Sequence, residues 1–465
     1  MKPNVLFVLT DDQRFDTIGA LNNSSIQTPN MDKLVAKGTS FTHAHIPSGT
    51  CGAVCCPSRA MLNTGRSLFN IHNVGGFIPD DHTTLGEVFK KEGYSTFGTG
   101  KWHNGKTSFN RSFDEGEHIF FGGMEDHWNV PCFHYDSTGE YSNTMSRCVD
   151  AFSTNEIKEI PGDYINNGEH SSDMLADATV DWITNYSEDK PFYAYLSFLA
   201  PHDPRTMPQR YKEMYPLDAV ELPPNFLTKH PFDNGALGNR DELLESIPRT
   251  PDAIRTHLSE YYAMITHLDD CLGRVLESLE KKGLLEDTLI VFTGDNGLAL
   301  GQHGLMGKQN HYEHSVRVPL IMSGPGVDSG VVSDSPVYLF DIMASLCEHL
   351  GFEIPASNNG NSFAHELKGI KGPTRERLYF AYIDSMRSVK KGDFKLIETC
   401  VDGNNNMTQL FDLKNDPWEM NNLAMNPDQV ERIKELKKDL RELSLEWNDT
   451  KTYGKRFWTA YDTNN

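Results

Sequence analysis

The stretch CGAVCCPSRAMLNTGR, residues 51–66, places three cysteines within six positions and follows them with Pro57, Arg59 and Gly65. Three chemistries compete for such a cluster: a metal knot, a disulfide, or a cysteine kept for reactivity. A zinc knot calls for a second Cys or His pair close by, and none is present. A phosphatase-type loop needs an arginine six positions after its cysteine, whereas Met61 stands six after Cys55. Pro57 suits the first turn of a helix over PSRAMLNT, and Gly65 suits its C-terminal stop. Cys55 and Cys56 then lie just before the helix start, where free N–H groups and the dipole favour an anion or a thiolate. Arg59, one turn along, points back to the same spot. Four more stretches carry ionisable or metal-ligating groups: Asp11-Asp12, Lys101 with His103, His202, and Asp295-Asn296. Asp11, Asp12, Asp295 and Asn296 offer only oxygen, which suits a hard divalent cation such as calcium or magnesium. Lys308, in MGKQNHYEHSVRVPL, can bridge an anion from the opposite side.

These groups share an address only if their elements do. NVLFVLT (4–10), STFGTGKW, KPFYAYLSFLAP and DTLIVFTG read as near-continuous apolar strands, and each ends where one of the four stretches begins. VPLIMSGPG is a further strand. MDKLVAKG, TTLGEVFKKEG, SSDMLADATVDWITNY, Asp252 to Lys282, and YLFDIMASLCEHLG read as helices, most closed by a glycine. Apolar strands alternating with helices imply an α/β fold: a large, mostly parallel or mixed sheet sandwiched by helices. In such a sheet the carboxyl ends of the strands form one ligand-binding edge. Residues 104–170 read as a long polar and aromatic excursion of the kind that shapes a site. After about residue 375 the texture changes to antiparallel strands and an amphipathic closing helix. The expected organisation is a catalytic α/β domain over 1–375 and a smaller C-terminal α+β subdomain over 376–465.

The chain has 465 residues and a formal net charge of -22, from 43 basic and 65 acidic side chains. That balance excludes bulk attraction to nucleic acid or an anionic membrane, but a local cluster of cations can still hold a small anion. No apolar run is long enough to span a bilayer. The start, MKPNVLFVLTDDQ, lacks the apolar length and small residues of a signal peptide. The expectation is a periplasmic or secreted protein if a leader has been removed, and a cytoplasmic one otherwise. The eight cysteines are scattered apart from the opening cluster, and a chain of this size needs no disulfide staples.

CCPSRAMLNTGR resembles the type I sulfatase signature C-x-P-S-R-x-x-x-L-T-G-R, read from Cys55, with Asn63 where leucine is usual. NVLFVLTDDQ, TPNMDKL, GTGKWH, APHDP, FTGDNG, GKQNHYEHSVRVPLI and LFDLKNDPWEMNNL resemble sulfatase blocks in the expected order, so the resemblance spans most of the chain. It implies the alkaline-phosphatase-like superfamily and a calcium-dependent sulfuric ester hydrolase. It also implies that a maturation enzyme oxidises Cys55 to formylglycine, whose hydrate is the nucleophile. Asp11, Asp12, Asp295 and Asn296 would hold calcium, magnesium being the lesser candidate, with position 55 also reaching the metal. Arg59 and Lys101 would steady the hydrate, Lys308 and His202 would hold the sulfate and the bridging oxygen, and His103 would work on the formylglycine hydroxyl. A phosphodiesterase or phosphonate monoester hydrolase of the same superfamily shares the signature, and a catalytically silent glycan-binding protein is the rival from another class.

Substrate choice is expected in the excursion and the loops. GGMEDHWNVPCFHYD offers His127, Trp128 and His134, and APHDPRTMP adds Asp203 and Arg205. Aromatic faces with polar neighbours suit a sugar ring, and Arg205 suits a carboxylate or second sulfate. The GKWHNG and APHDPRTMP blocks look similar to bacterial sulfatases of polysaccharides or host glycans, which implies an exo-acting sulfatase of a sulfated carbohydrate.

Overall fold

A computed structural model describes residues 2–150, 152–401 and 405–464. Its centre is an eight-stranded sheet. In chain order the strands are β1 (Asn4–Thr10), β2 (Gly38–Phe41), β3 (Ser95–Lys101), β4 (Glu115–Phe120), β5 (Phe192–Ser197), β6 (Thr288–Gly294), β7 (Leu320–Ser323) and β8 (Val331–Ser333). Their spatial order is β8-β2-β7-β6-β1-β5-β3-β4. The run β6-β1-β5-β3-β4 is parallel, while β7 lies antiparallel to both β6 and β2. The sheet is therefore mixed. VPLIM supplies the reversed strand, because a short apolar run buried on both faces fits either direction.

Every residue of β1 and β6 is buried. Val5, Phe7 and Leu9 belong to one hydrophobic cluster and Leu6 and Val8 to the other, so the sheet has a core on each face. Helices α1 (Pro29–Lys37), α2 (Cys55–Thr64), α3 (Leu85–Lys91), α4 (Ser171–Asn185), α5 (Pro251–Lys281) and α6 (Asp341–Leu350) cover it. Their ends follow local chemistry. Thr84 and Glu87 form a capping box on α3, and Thr250 accepts the Ala253 N–H ahead of Pro251 on α5. Gly65 takes a left-handed φ of 64° after α2. No helix among the described residues is long and apolar enough to cross a membrane.

The excursion at 104–170 has more regular structure than its polarity predicts. It contains a helix at Lys106–Ser112, edge strand β4, and a hairpin of Thr144–Cys148 with Ile157–Pro161. Beyond residue 375, β9 (Arg377–Tyr382), β10 (Met386–Lys391), β11 (Phe394–Val401) and β12 (Asn405–Asp412) form an antiparallel meander. Helix α7 (Val430–Glu446) packs against it, and a helix at Thr452–Asn464, absent from the sequence reading, follows. β9 also pairs with the two-residue strand Ser48–Gly49, just ahead of α2. Leu396, Leu410 and Trp458 join the same cluster as Val5 and Phe7. The C-terminal sheet thus rests directly on the segment that carries Cys55.

Candidate active site

The parallel register brings the strand ends together. Thr10 of β1 lies opposite Gly294 of β6, and Ser197 of β5 lies opposite Gly100 of β3. One residue further on, Asp11 meets Asp295 and Lys101 emerges beside both. Gly100 has φ +87°, and a Cβ there would lie 1.9 Å from the Ser197 carbonyl oxygen, so only glycine lets β3 approach this closely. Asp12 sits at φ 67° in a tight turn. Tyr261 of α5 braces that turn by donating its hydroxyl to the Asp12 carbonyl at 2.6 Å and accepting the Arg14 N–H at 2.8 Å.

Three carboxylates and three cations meet in this space. Lys101 Nζ donates to Asp11 Oδ2. Arg59 Nε donates to Asp295 Oδ2 at 2.8 Å, and its Nη2 lies 3.5 Å from Asp11. Lys308 Nζ donates to Asp12 Oδ1 at 2.5 Å, an oxygen that also accepts Asn296 Nδ2 at 2.6 Å. Asp12 N–H donates to Asp295 Oδ1 at 3.1 Å. Formally the charges cancel. Burial pushes the Asp11 carboxyl up, but Lys101, Arg59, His202 and Lys308 together hold it well below the usual carboxylate range. Asp295 goes the other way, to about 6, because burial and the neighbouring Asp11 outweigh Arg59 and Lys101. Burial opposes the charge on Lys308, yet Asp12 and Asp241 keep it protonated well above its ordinary range.

The fit of a divalent cation rests on what these contacts leave over. Asp11 Oδ1 and Asn296 Oδ1 are buried and accept no hydrogen bond. Leaving such oxygens unsatisfied is costly, and a hard cation satisfies them. Ligand atoms of Asp11, Cys55 and Asp295 lie within 4.8 Å of one another, as do those of Asp11, Asp12 and His202. The donor set is rich in oxygen and suits calcium or magnesium better than zinc.

Cys55 is the first residue of α2, not a residue ahead of it; the helix starts two positions before Pro57. Its thiol lies 3.6 Å from Lys101 Nζ and 3.6 Å from His103 Nδ1. Burial pushes that thiol up to about 11 despite Lys101 and Lys308. It is protonated at neutral pH, so the unmodified side chain is a poor nucleophile. His103 is driven down to about 2 by burial, Lys101 and Arg59, which leaves it neutral. Opposite, His202 Nδ1 bonds the Asp203 carbonyl at 2.8 Å and Nε2 lies 3.6 Å from Asp12 Oδ2.

Arg59 departs from the simple anion-clamp picture. It is fully buried and also donates Nη1 to the Lys101 carbonyl and to Ser197 Oγ, each at 2.7 Å. It separates two carboxylates from within the site. Of the expected sugar-facing residues, His127 is a buried support: its ring nitrogens bond Ser171 Oγ at 2.8 Å and the His202 carbonyl at 2.9 Å, leaving none for a ligand. Trp128 sets its edge against His170, ring centroids 5.2 Å apart. His134 is exposed and pairs with Glu117 at 2.9 Å and the Tyr164 ring, away from the carboxylate cluster. Asp203 is held by Arg240, and Arg205 is buried against His257 at 3.1 Å. Sequence reasoning missed Ser197, Tyr261, Arg240 and Glu242; none sits in a motif, and only the fold brings them to the site.

A family model described as Sulfatase matches residues 3–352. The chain belongs to the sulfatase family. A second model, for the C-terminal part of N-sulphoglucosamine sulphohydrolase, matches residues 301–446. Among its relatives, a sulfatase of Formosa agariphila is 29% identical over 97% of this chain and 89% of its own. The N-acetylglucosamine-6-O-sulfatase of Bacteroides thetaiotaomicron is 25% identical over 96% of this chain and 87% of its own. A structure solved in complex with its substrate, D-glucosamine-2-N,6-O-disulfate, superposes with a TM-score of 0.73 at 23% identity, covering 97% of this sulfatase and 99% of that chain. The fold class and enzyme class expected from the sequence both stand.

Proposed function

We propose that this sulfatase removes sulfate from a sulfated carbohydrate, acting from the chain end, with a calcium ion and a formylglycine formed from Cys55. The observation that carries the reading is the pair of orphaned acceptors, Asp11 Oδ1 and Asn296 Oδ1, beside a first-turn cysteine flanked by Lys101 and His103. The carbohydrate part is supported by the named activity of the N-acetylglucosamine-6-O-sulfatase relative.

Asp11, Asp12, Asp295 and Asn296 would hold the cation, which when bound neutralises non-bridging sulfate oxygens as a Lewis acid. Formylglycine would supply, as its hydrate, an oxygen nucleophile and a second hydroxyl through which sulfate is released. The Cys55 Sγ marks the position of that oxygen. Lys101 Nζ, 3.6 Å from this point, stabilises negative charge there. His103 Nδ1, also 3.6 Å away, would work on the formylglycine hydroxyl. Lys308 supplies positive charge on the Asp12 side. His202, its Nδ1 fixed by the Asp203 carbonyl, presents Nε2 to donate a proton to the leaving alkoxide. Arg59 keeps Asp11 and Asp295 apart.

The test has two parts. The mass of the peptide containing position 55 falls by about 18 Da when thiol becomes aldehyde, and a panel of sulfated monosaccharides, glycan oligomers, nitrophenyl sulfate and phosphate esters reports substrate class. Turnover of nitrophenyl sulfate without any sugar would defeat the carbohydrate reading, and faster turnover of phosphate esters would replace it with the phosphohydrolase one.

A further inference from the structure

A lysine is a compact charge on a flexible four-carbon stem, so its backbone must be fixed if its ammonium is to act from one place. Lys308 lies in a loop, yet Met306 and Gly307 directly before it are held by one buried carboxylate from a distant segment. Glu242, 4% exposed in the short turn Arg240–Leu244, accepts the Met306 N–H at 3.0 Å and the Gly307 N–H at 2.8 Å. Arg249 locks that carboxylate with Nη2 at 2.8 Å and spends its remaining contacts on the main chain of the same turn, at the carbonyls of Glu242 and Glu245. A Cβ at Gly307 would lie 3.1 Å from Glu242 Oε1 and 2.9 Å from Asp241 Cβ, so the loop is seated against this turn without slack. The neighbouring Asp241 holds Gln309 at 2.7 Å, and Gln309 in turn donates to the Gly52 carbonyl near Cys55 and accepts the Lys308 N–H at 3.1 Å.

We propose that Glu242, clamped by Arg249, is the positioning residue that sets Lys308 against Asp12 and thereby fixes the sulfate-facing cation. It rests on the proposed function for its kinetic consequence, and on geometry alone for its effect on the cation site. A misplacement of about 1 Å at a reacting centre costs up to about 100-fold. Glu242→Gln, which keeps shape but turns an amide NH2 toward backbone donors, is expected to lower kcat/KM on a sulfated sugar by about 10- to 100-fold. The double variant with Lys308→Met should be no worse than Lys308→Met alone within about threefold, because both act through one ammonium. Calcium titration of the metal-stripped variants gives a readout that needs no turnover. Glu242→Gln and Lys308→Met should both bind calcium more tightly than the parent, since each relieves Asp12 Oδ1 of a competing cation, and the double variant should match Lys308→Met. Losses that multiply in the double variant, or a folded Glu242→Gln with unchanged kcat/KM and calcium affinity, overturn the proposal. If Glu242→Gln does not fold, Arg249→Lys carries the same test, because it loosens the carboxylate without removing it. An inactive parent whose calcium affinities still follow this pattern would sink the catalytic reading and leave the positioning role standing.

Discussion

Replacing Lys308 by methionine separates two roles that a single activity loss would confuse. The site sets Asp11, Asp12 and Asp295 against Arg59, Lys101 and Lys308, so it is formally neutral without an ion and carries +2 with a divalent one. Lys308→Met removes a charge and little volume. An ammonium aimed at charge developing on sulfate is worth about 2.7–4 kcal/mol, the scale of one preorganised oxyanion donor, so kcat should fall by about 100- to 1,000-fold. Cation binding should move the opposite way. Nζ occupies Asp12 Oδ1 at 2.5 Å and competes for an oxygen that a cation would use. Repulsion between a unit charge and a divalent ion about 4 Å apart is about 2 kcal/mol even at the dielectric of water. Removing it should tighten calcium by about 30-fold. Sulfate release measured by ion chromatography, alongside calorimetric calcium titration of the stripped protein, reads both. Weaker calcium together with lower activity would mean that Lys308 only holds its loop, and the reasoning fails; so does activity within about threefold of the parent.

Cys55→Ala should abolish turnover while leaving the fold intact, since it removes one small sulfur whose polar contacts, to Lys101 and His103, are both long at 3.6 Å; a thermal midpoint within a few degrees, with no sulfate release, is the expected pair of results. Calcium affinity should fall about tenfold per pH unit below about 6, because Asp295, raised to about 6, must lose its proton to ligate; titration from pH 5 to 8 checks this, and a flat profile contradicts it. His45 and His127 are both held down to about 4 by burial, so between pH 6.5 and 4 the unfolded chain binds protons that the folded one refuses. Stability should therefore drop on acidification through that window by about 3 kcal/mol per pH unit for the two together, measured by urea unfolding. Asp449→Asn breaks a fully buried pair with Arg387 and should cost about 3–5 kcal/mol in the same assay while leaving calcium affinity unchanged.

The strand ends were legible because a strand buried on both faces must be apolar throughout. Where NVLFVLT gives way to Asp11-Asp12, or TLIVFTG to Asp295-Asn296, the change of chemistry marks the sheet edge. Gly65 likewise marked the end of α2. What stayed hidden depends on contacts between segments far apart in the chain. Residues 239–249 mix charged and apolar side chains without a period, so nothing in the sequence singles out Glu242 and Arg249; the fold buries both. His127 looked like part of a sugar platform because aromatic and polar residues in a loop suit a ring, yet α4 arrives beside it and Ser171 and the His202 carbonyl take both its ring nitrogens. The preceding helix ends at Glu446 and Asn448 turns the chain at φ 60°, and the helix at Thr452–Asn464 that follows this break was not read from the sequence.

The three cations are not equivalent, and the difference explains how a site of zero formal charge serves an anion. Arg59 has no exposed surface and gives its donors to Asp295, the Lys101 carbonyl and Ser197, so it stays where the fold puts it. Lys101 and Lys308 each lean on one carboxylate, and Lys101 Nζ also lies 3.6 Å from the Cys55 thiol. A cation ligated by Asp11 and Asp12 would take over those same carboxylates. The two ammonium groups would then lose part of their compensation, which favours another anion within reach. On the proposed function, binding of the ion and of the sulfate would be coupled through those carboxylates, and linkage makes any such coupling reciprocal. The equal count of acids and bases lets the chain fold with its charges matched and would make the attraction for sulfate conditional on the ion.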